Sequence, residues 1–230
     1  MIFPLDQGSL KELLEEFSKI RKLTLVSKNA NEKKLTEMNL LGGNEISFNF
    51  ITNENKSISQ IFLGKNNFSG EKIYIKTPSS PVYEGKDDFF PWLHTTPRLW
   101  ANMNLVSTEL LGMKDFTEVQ RIIATFSNGN SQKKYTSSEG NFTDIASKIL
   151  RLRGGNIISP SAIESIPVIM ELKIETGNKN AVILKFYQKD ATSYLVLPVY
   201  TTAIDIENKI HFCFEISAWT FNTIYELLAV

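Results

Sequence analysis

Residue types and motifs that commonly indicate a catalytic, metal or cofactor site are scarce or missing in this chain of 230 residues. It has one cysteine and two histidines, too few for an intrachain disulfide or for a zinc site built from thiolates and imidazoles. Metalloprotease, dithiol, serine-hydrolase, dinucleotide and P-loop motifs do not occur in the sequence. We therefore predict that the chain is not an enzyme and holds no cofactor and no metal ion.

Charge of one sign and long apolar runs are also lacking. The 25 Lys and Arg residues balance 25 Asp and Glu residues, and cations alternate with acids along the first predicted helix. This pattern is typical of a solvated helix face and argues against a nucleic-acid partner. No apolar run reaches the ~18–20 residues that span a bilayer. The hydrophobic content of 42% is sufficient for a packed core, in which we place the single thiol, Cys213.

The most informative feature of the sequence is an internal repeat. Phe3–Ser27 aligns with Tyr135–Ser159 at a constant offset of 132, and the apolar positions of one helical face match between them. We predict helices over Ser9–Arg21 and Asn141–Arg153. Each begins with a capping pattern, and these are Ser9 with Glu12 and Asn141 with Asp144.

The repeat continues as strands at an offset of about 122. Both copies alternate apolar and polar side chains, as half-buried strands do. The predicted strands of the first copy are 25–26, 46–50, 61–63, 72–76 and 81–83, and those of the second are 157–158, 168–174, 182–186, 194–200 and 210–216. Their short turns require antiparallel pairing.

These patterns predict an α+β fold, in which a duplicated unit places one amphipathic helix on a mainly antiparallel sheet. We expect the first repeat over residues 1–115 and the second over 116–230. The second copy is entered through a hairpin at 118–135, with its turn at Ser127–Asn130. Only Met1–Phe3 precede the first helix, so the equivalent hairpin of the first copy is missing.

The order of these segments resembles a bacterial domain family of unknown function, number 4340, most closely over residues 4–126. The segments that carry the resemblance are Ile61-Phe62-Leu63-Gly64-Lys65, Lys72-Ile73-Tyr74-Ile75-Lys76, Pro81-Val82-Tyr83 and Arg98-Leu99-Trp100. The resemblance implies an extracytoplasmic (periplasmic) domain behind an N-terminal membrane anchor. It also implies genes that sit, in some bacteria, beside an ABC transporter of the gliding-motility type. It supplies no catalytic or binding residues.

The missing hairpin and the resemblance together suggest that Met1 is not the natural start. We expect the native chain to continue upstream through a strand or hairpin into one membrane-spanning helix. The first sheet should then have an open edge with unpaired N–H and C=O groups.

Aromatic residues are the best candidates for contact with a partner or ligand, and they are Phe89, Phe90, Trp92 and Trp100. The alternative is ordinary core packing, because Trp219, Phe221 and Tyr225 occupy the equivalent place in the second copy. For the remaining candidate residues, the sequence context favours structural roles. We interpret His94 and His211 as separate structural or surface residues, Asp87-Asp88 as a helix N-terminus, Gly42-Gly43 as a turn, and Gly154-Gly155 as a left-handed helix cap.

The function that we expect is a non-catalytic accessory or assembly domain of a membrane-anchored envelope protein, with ABC-type transporter components as partners. The alternative is an extracytoplasmic module that binds a glycan, a lipid or a peptide. An enclosed pocket lined by converging polar groups would favour this alternative, whereas an apolar patch on a sheet edge or helix face would favour assembly.

Overall fold

The computed structural model describes residues 4–19, 21–51, 56–79, 81–88, 96–127, 131–202 and 212–229. The chain divides into two compact units, one formed by Lys11–Thr95 and the other by Met1–Leu10 with Thr96–Val230. The division falls inside helix α1 (Gln7–Ser18) and after residue 95, whereas the sequence pattern placed the boundary between repeats after residue 115. We call them the small unit and the large unit.

The small unit is built on an antiparallel sheet of five strands. Its strands are β1 (Thr24–Ser27), β2 (Ile46–Ile51), β3 (Ser57–Asn66), β4 (Lys72–Lys76) and β5 (Val82–Lys86), and helix α2 (Glu32–Glu37) lies between β1 and β2 in the chain. The order across the sheet is β1-β5-β4-β3-β2. Alternating side chains put Leu63, Ile73 and Ile75 into one buried cluster against Phe17 of α1.

The large unit holds a seven-stranded sheet and most of the helices. Its strands are β6 (Val119–Phe126), β7 (Ser131–Thr136), β8 (Asn156–Ile158), β9 (Val168–Thr176), β10 (Ala181–Gln188), β11 (Ser193–Thr201) and β12 (Cys213–Ser217). Its helices are α3 (Pro97–Trp100), α4 (Thr108–Leu111), α5 (Phe142–Leu150) and α6 (Ala218–Ala229), with 3-10 turns at Phe116–Glu118 and Pro160–Ile163. The strand order is β7-β6-β9-β10-β11-β12-β8, and every pair is antiparallel.

The α+β class predicted from the sequence is confirmed, since helices accompany two antiparallel sheets. Five strands of the large sheet, β8-β12-β11-β10-β9, also follow the same order as β1-β5-β4-β3-β2. The aligned segments of the two copies therefore occupy corresponding places. This agreement supports the duplication, which stays a hypothesis. The hairpin β6–β7 is the addition that distinguishes the larger sheet.

The helix starts differ from the predicted capping boxes. Helix α1 begins at Gln7 rather than Ser9, because the Asp6 carboxylate accepts hydrogen bonds from the Ser9 amide (3.2 Å) and hydroxyl (2.7 Å). An acid three residues earlier thus takes the capping role. Asn141 does stand at the N-cap of α5, but its side chain makes no capping hydrogen bond.

The two glycine pairs, Gly42-Gly43 and Gly154-Gly155, require glycine for different structural reasons. Gly42 and Gly43 have φ angles of 97° and 85°, so the turn that we predicted there does require glycine. The predicted left-handed cap at Gly154-Gly155 is wrong, since neither residue has positive φ. Gly154 is needed for close approach, because a Cβ atom there would lie 2.5 Å from Cδ1 of Phe214.

Candidate functional site

Strand β2 is an edge strand of the small sheet and pairs only with β3 among the described strands. Its outward-facing edge therefore presents backbone donors and acceptors that no described strand satisfies. The sequence Ile46-Ser47-Phe48-Asn49-Phe50-Ile51 contains no charge that would keep another strand away. Ile51 is 52% exposed. Among the described residues, β2 therefore has the open edge that the repeat alignment predicted.

Helix α1 covers the core-facing side of β2 only in part. The ring of Phe17 packs edge to face on Phe48 and Phe50, with centroids 4.9 and 5.2 Å apart. Leu14, which lies one helical turn before Phe17, remains 46% exposed. Phe17 of this helix thus packs on β2, and Leu14 leaves apolar surface exposed on the same helix. We call β2 together with Leu14 and Phe17 the open edge site.

The equivalent place in the large unit is fully covered. Strand β9, which corresponds to β2, pairs with β6 from Met170 to Thr176, and β6 pairs in turn with β7. Ala146 of α5 aligns with Leu14 and is 1% exposed, while Ile149 aligns with Phe17 and is 0% exposed. The contrast indicates which part of the small unit lacks a cover.

The other three sheet edges are protected in ways that natural proteins commonly use. Strand β7 carries Lys133 and Lys134, whose charges disfavour pairing with another strand. Strand β8 has three residues, and β1 has four with an irregular register between Leu25 and Ser27. Strand β2 is therefore the one described edge that combines useful length with a neutral sequence.

A second feature lies on the outer face of the large sheet, where a polar cleft of about 790 Å³ runs over β6, β7, β9 and β10. Its charged lining consists of Arg121, Lys134, Lys173, Lys179 and Glu175, four cations against one acid. Strand pairing creates this excess, since Lys134 and Lys173 both stand opposite Ile123. We call it the basic cleft.

Glu175 organises two cations of the basic cleft. Its carboxylate pairs with Lys173 at 2.6 Å and also with Arg121. The hydrogen bond from Lys173 is the largest of the effects that lower the pKa of Glu175, and burial opposes it. Lys134 and Lys179 make no ion pair with a described residue. These two ammonium groups supply the positive charge that an anionic ligand would meet.

The buried ionisable groups of the large unit have structural surroundings. The Tyr200 hydroxyl accepts a hydrogen bond from the Ser107 amide at 2.9 Å, and burial raises the pKa of Tyr200. Cys213 is fully buried, as predicted, and burial raises the pKa of its thiol to about 11. Within the described ranges, no group of three or more His, Cys, Asp or Glu side chains is arranged to hold a metal ion.

Of the four residues of the predicted aromatic site, only Trp100 lies in the described part of the chain. Phe89, Phe90 and Trp92 lie outside the described residues, as do His94 and His211, so the predictions made for them stay open. Trp100 is half-buried at the end of α3, and its carbonyl accepts the amide of Asp6 at 2.8 Å. A shared contact site formed by the four aromatic residues therefore stays a prediction.

The aromatic residues of the second copy were expected to pack in its core. Phe221 is buried and stacks on Tyr194 at 4.1 Å, whereas Trp219 is 77% exposed and does not belong to the core. Asp88 pairs with Arg21 at 2.9 Å and with Lys86 at 3.1 Å. The helix start that Asp87-Asp88 were predicted to form lies outside the described residues.

Sequence reasoning missed the basic cleft, because its cations are far apart in the chain and each has acids nearby in sequence. Only the register of β7, β6 and β9 places Lys134, Arg121 and Lys173 in one cleft. The chain offers no local basic run that would have revealed it. Within the described parts of the chain, no helix combines the length and apolarity needed to cross a bilayer.

Comparison with known proteins gives one family. A family model described as Domain of unknown function (DUF4340) matches residues 1–161. The match includes the whole small unit and continues through α5 and β8 of the large unit. No curated protein and no solved structure matches the chain.

Proposed function

This chain belongs to the DUF4340 family, and from that premise we propose that it is a non-catalytic accessory or assembly domain that binds another polypeptide. The open edge site carries this proposal. A neutral strand edge that no described strand pairs with, together with a half-exposed leucine on the helix that packs on this strand, is a surface that polypeptides recognise. The corresponding surface of the large unit is occupied by the protein's own hairpin.

We place this role on the extracytoplasmic side of the cytoplasmic membrane, in a membrane-anchored envelope protein. The partners that we propose are components of an ABC-type transporter. Support for the location and the partners comes from the family resemblance alone. The open edge site supports a protein partner, and the balanced charge of the chain gives no preference for nucleic acid.

The test is site-specific photo-crosslinking in cells that express the full-length natural gene. A benzophenone amino acid replaces the exposed residue Ser47 on β2, and the matched control replaces Gln132 on the lysine-protected edge β7. We expect Ser47 to capture a transporter component and Gln132 to capture none. Equal capture from both positions, or no transporter component from Ser47, would contradict the proposal.

The location is tested separately with Asn49→Cys, since Asn49 is exposed and the native thiol of Cys213 is buried. A membrane-impermeant maleimide should label this variant in intact spheroplasts. If labelling requires lysis of the cells, the domain lies on the cytoplasmic side and the proposed location is wrong.

The basic cleft favours a second candidate function, an extracytoplasmic module that binds an acidic peptide. Four cations line the cleft, and Lys134 and Lys179 have no described ion-pair partner. Titration with an octameric glutamate peptide should show binding that weakens as salt is added. The charge reversals Lys134→Glu and Lys179→Glu should abolish it, while Lys11→Glu on exposed α1 should not. Binding that all variants retain would exclude the cleft as the site.

A further inference from the structure

We propose that the basic cleft selects an extended peptide with two acidic side chains four residues apart, and that Glu175 sets this preference by neutralising the middle of the cleft. This inference rests on the second candidate function, because it specifies the peptide that the same site binds. It predicts that binding depends on the spacing of the acids and not only on their number, which can be tested with the purified chain.

The basic cleft concentrates positive charge on a chain whose total charges balance. The whole sequence has 25 cations and 25 acids, whereas the described lining of the cleft has four cations and one acid. Charge complementarity therefore favours an anionic ligand. Ala181 and Ile183 are the two apolar side chains among the described lining residues, so an acyl chain would find little apolar surface to cover.

The two lysines of the cleft that have no described ion-pair partner lie at opposite ends of it. Lys134 of β7 and Lys173 of β9 both stand opposite Ile123, so their Cα atoms are two strand spacings, or about 10 Å, apart. Lys179 lies in the turn between β9 and β10, beyond the last residue of β9, Thr176. This turn is several residues further along the strand direction, so the Cα atoms of Lys134 and Lys179 are roughly 15 Å apart.

The carboxylate of Glu175 lies between these two lysines. Glu175 stands opposite Arg121 and follows Lys173 by two residues in the direction of the turn. It pairs with Lys173 at 2.6 Å and also with Arg121, and its side chain is 18% exposed. A compact anion such as pyrophosphate needs several unopposed cations around one point. In the middle of this cleft it would meet cations that a carboxylate already holds.

An extended peptide fits this separation of charge. Side chains four residues apart in an extended chain project to the same side and lie about 13 Å from each other. The long, flexible side chains of Lys134 and Lys179 can cover the remaining distance. Adjacent acids project to opposite sides of an extended chain, so only one of them could reach the cleft. Two acids at the longer spacing can therefore engage both lysines at once.

The test compares two heptapeptides of identical composition by isothermal titration calorimetry. Both consist of serine, threonine and two glutamates, and blocked termini leave the glutamates as their only charges. The spaced peptide has glutamate at its second and sixth positions, and the adjacent peptide has glutamate at its third and fourth. The native chain should bind the spaced peptide about threefold tighter or more, which is the contribution of one exposed ion pair.

Lysine variants locate this preference in the cleft. Lys134→Gln and Lys179→Gln should each remove the advantage of the spaced peptide, because one of its acids then has no partner. Lys185→Gln is the matched control, since Lys185 lies on the same sheet face but pairs with Glu171 outside the lining of the cleft. This control should keep the full preference.

Glu175→Gln tests what selects the spacing. The variant releases Arg121 and Lys173, so the adjacent peptide and pyrophosphate should both bind more tightly and the preference for the spaced peptide should shrink. Glu171→Gln on the same face of β9 should leave the preference unchanged. Circular dichroism checks that each variant is folded.

Three outcomes would overturn the proposal. Equal affinity of the native chain for the two peptides would show that the cleft does not read spacing. An unchanged preference in Glu175→Gln would remove Glu175 as its cause. Displacement of the spaced peptide from the native chain by an equal concentration of pyrophosphate would identify a compact anion as the ligand. Failure of the octameric glutamate peptide to bind is a different result, because it would reject the cleft as a site for acidic peptides altogether.

Discussion

At the scale of single residues, one buried hydroxyl connects two distant parts of the large unit. Tyr200 is 2% exposed, and its oxygen accepts the amide of Ser107, which is itself 1% exposed. Ser107 also starts helix α4, where its hydroxyl accepts the amide of Leu110 at 3.3 Å. The hydroxyl of Tyr200 therefore fixes the start of this helix against strand β11.

Replacing this hydroxyl should measurably destabilise the protein. In Tyr200→Phe the buried amide of Ser107 loses its acceptor, so the free energy of unfolding should fall by ~1–3 kcal/mol. Urea unfolding measures the change. The control is Tyr194→Phe, because Tyr194 stabilises through ring stacking on Phe221 and keeps that contact. A loss as large in the control would show that the hydrogen bond is not the cause.

Another residue gives a pH dependence with a defined sign. Asp190 accepts hydrogen bonds from the Ser193 hydroxyl (2.7 Å) and from the amides of Thr192 and Ser193 (2.7 and 2.8 Å). The Ser193 hydroxyl is the largest cause of the lowered pKa of Asp190, whose ordinary value is 3.8. A lowered folded-state pKa stabilises the protein above the unfolded value, and this contribution disappears as pH falls through the folded value.

Asp190→Asn should therefore have a lower Tm than the native chain at pH 7. The difference in Tm between the two proteins should become smaller as the pH is lowered below ~4, where the carboxyl group of the unfolded chain is already protonated. Thermal unfolding across a pH series measures it. Asp144→Asn serves as control, since Asp144 is exposed and pairs only with Lys148 among the described cations. A difference in Tm that stays constant at all pH values would show that the charged carboxylate of Asp190 is not the cause of the stabilisation.

At the scale of elements, Gly154 is a place where a strand side chain meets the loop that follows α5. Its amide donates to the carbonyl of Met103 at 2.8 Å, and Phe214 of β12 occupies the space that a Cβ atom at position 154 would need. Gly154→Ala forces the fully buried Phe214 to move, and overpacking of this kind costs ~1–3 kcal/mol. Chemical denaturation should show this loss.

Gly140 provides the matched control for that substitution. A Cβ atom at Gly140 would meet nothing within 4 Å, and its φ angle is not positive. Gly140→Ala should therefore leave stability unchanged or raise it slightly. If the two alanine variants were equally stable, close approach to Phe214 would not be the reason for glycine at position 154.

The elements also show what the sequence can predict. The alternating runs identified β2, β4 and β9 through β11 to within a few residues, since a half-buried strand must alternate. Helix α2 was missed because six residues give too little periodicity, and its cap at Asn31 is a common turn residue. The open edge was predictable from the repeat, whereas the exposure of Leu14 and the basic cleft depend on packing and on register.

At the scale of the whole molecule, the two units differ in the size of their cores. Among the described residues of the small unit, three buried side chains form its cluster, and they are Leu63, Ile73 and Ile75. The described cluster of the large unit includes residues from strands β6, β9, β10, β11 and β12 and from helices α4, α5 and α6. Apolar burial is the dominant favourable term in folding, so the small unit should be the less stable part of the chain.

Hydrogen exchange followed by mass spectrometry tests this difference on two matched strands. Strands β3 and β10 are both interior strands with a partner on each side, so edge effects do not separate them. Amides of β3 should exchange at least ~10-fold faster than those of β10, which corresponds to an opening free energy lower by ~1.4 kcal/mol or more. Leu63→Ala should accelerate exchange in β2 through β5 and leave β10 unchanged, because Leu63 belongs to the small cluster alone. Equal protection of both strands, or acceleration of both by Leu63→Ala, would mean that the chain opens as one cooperative unit despite its two cores.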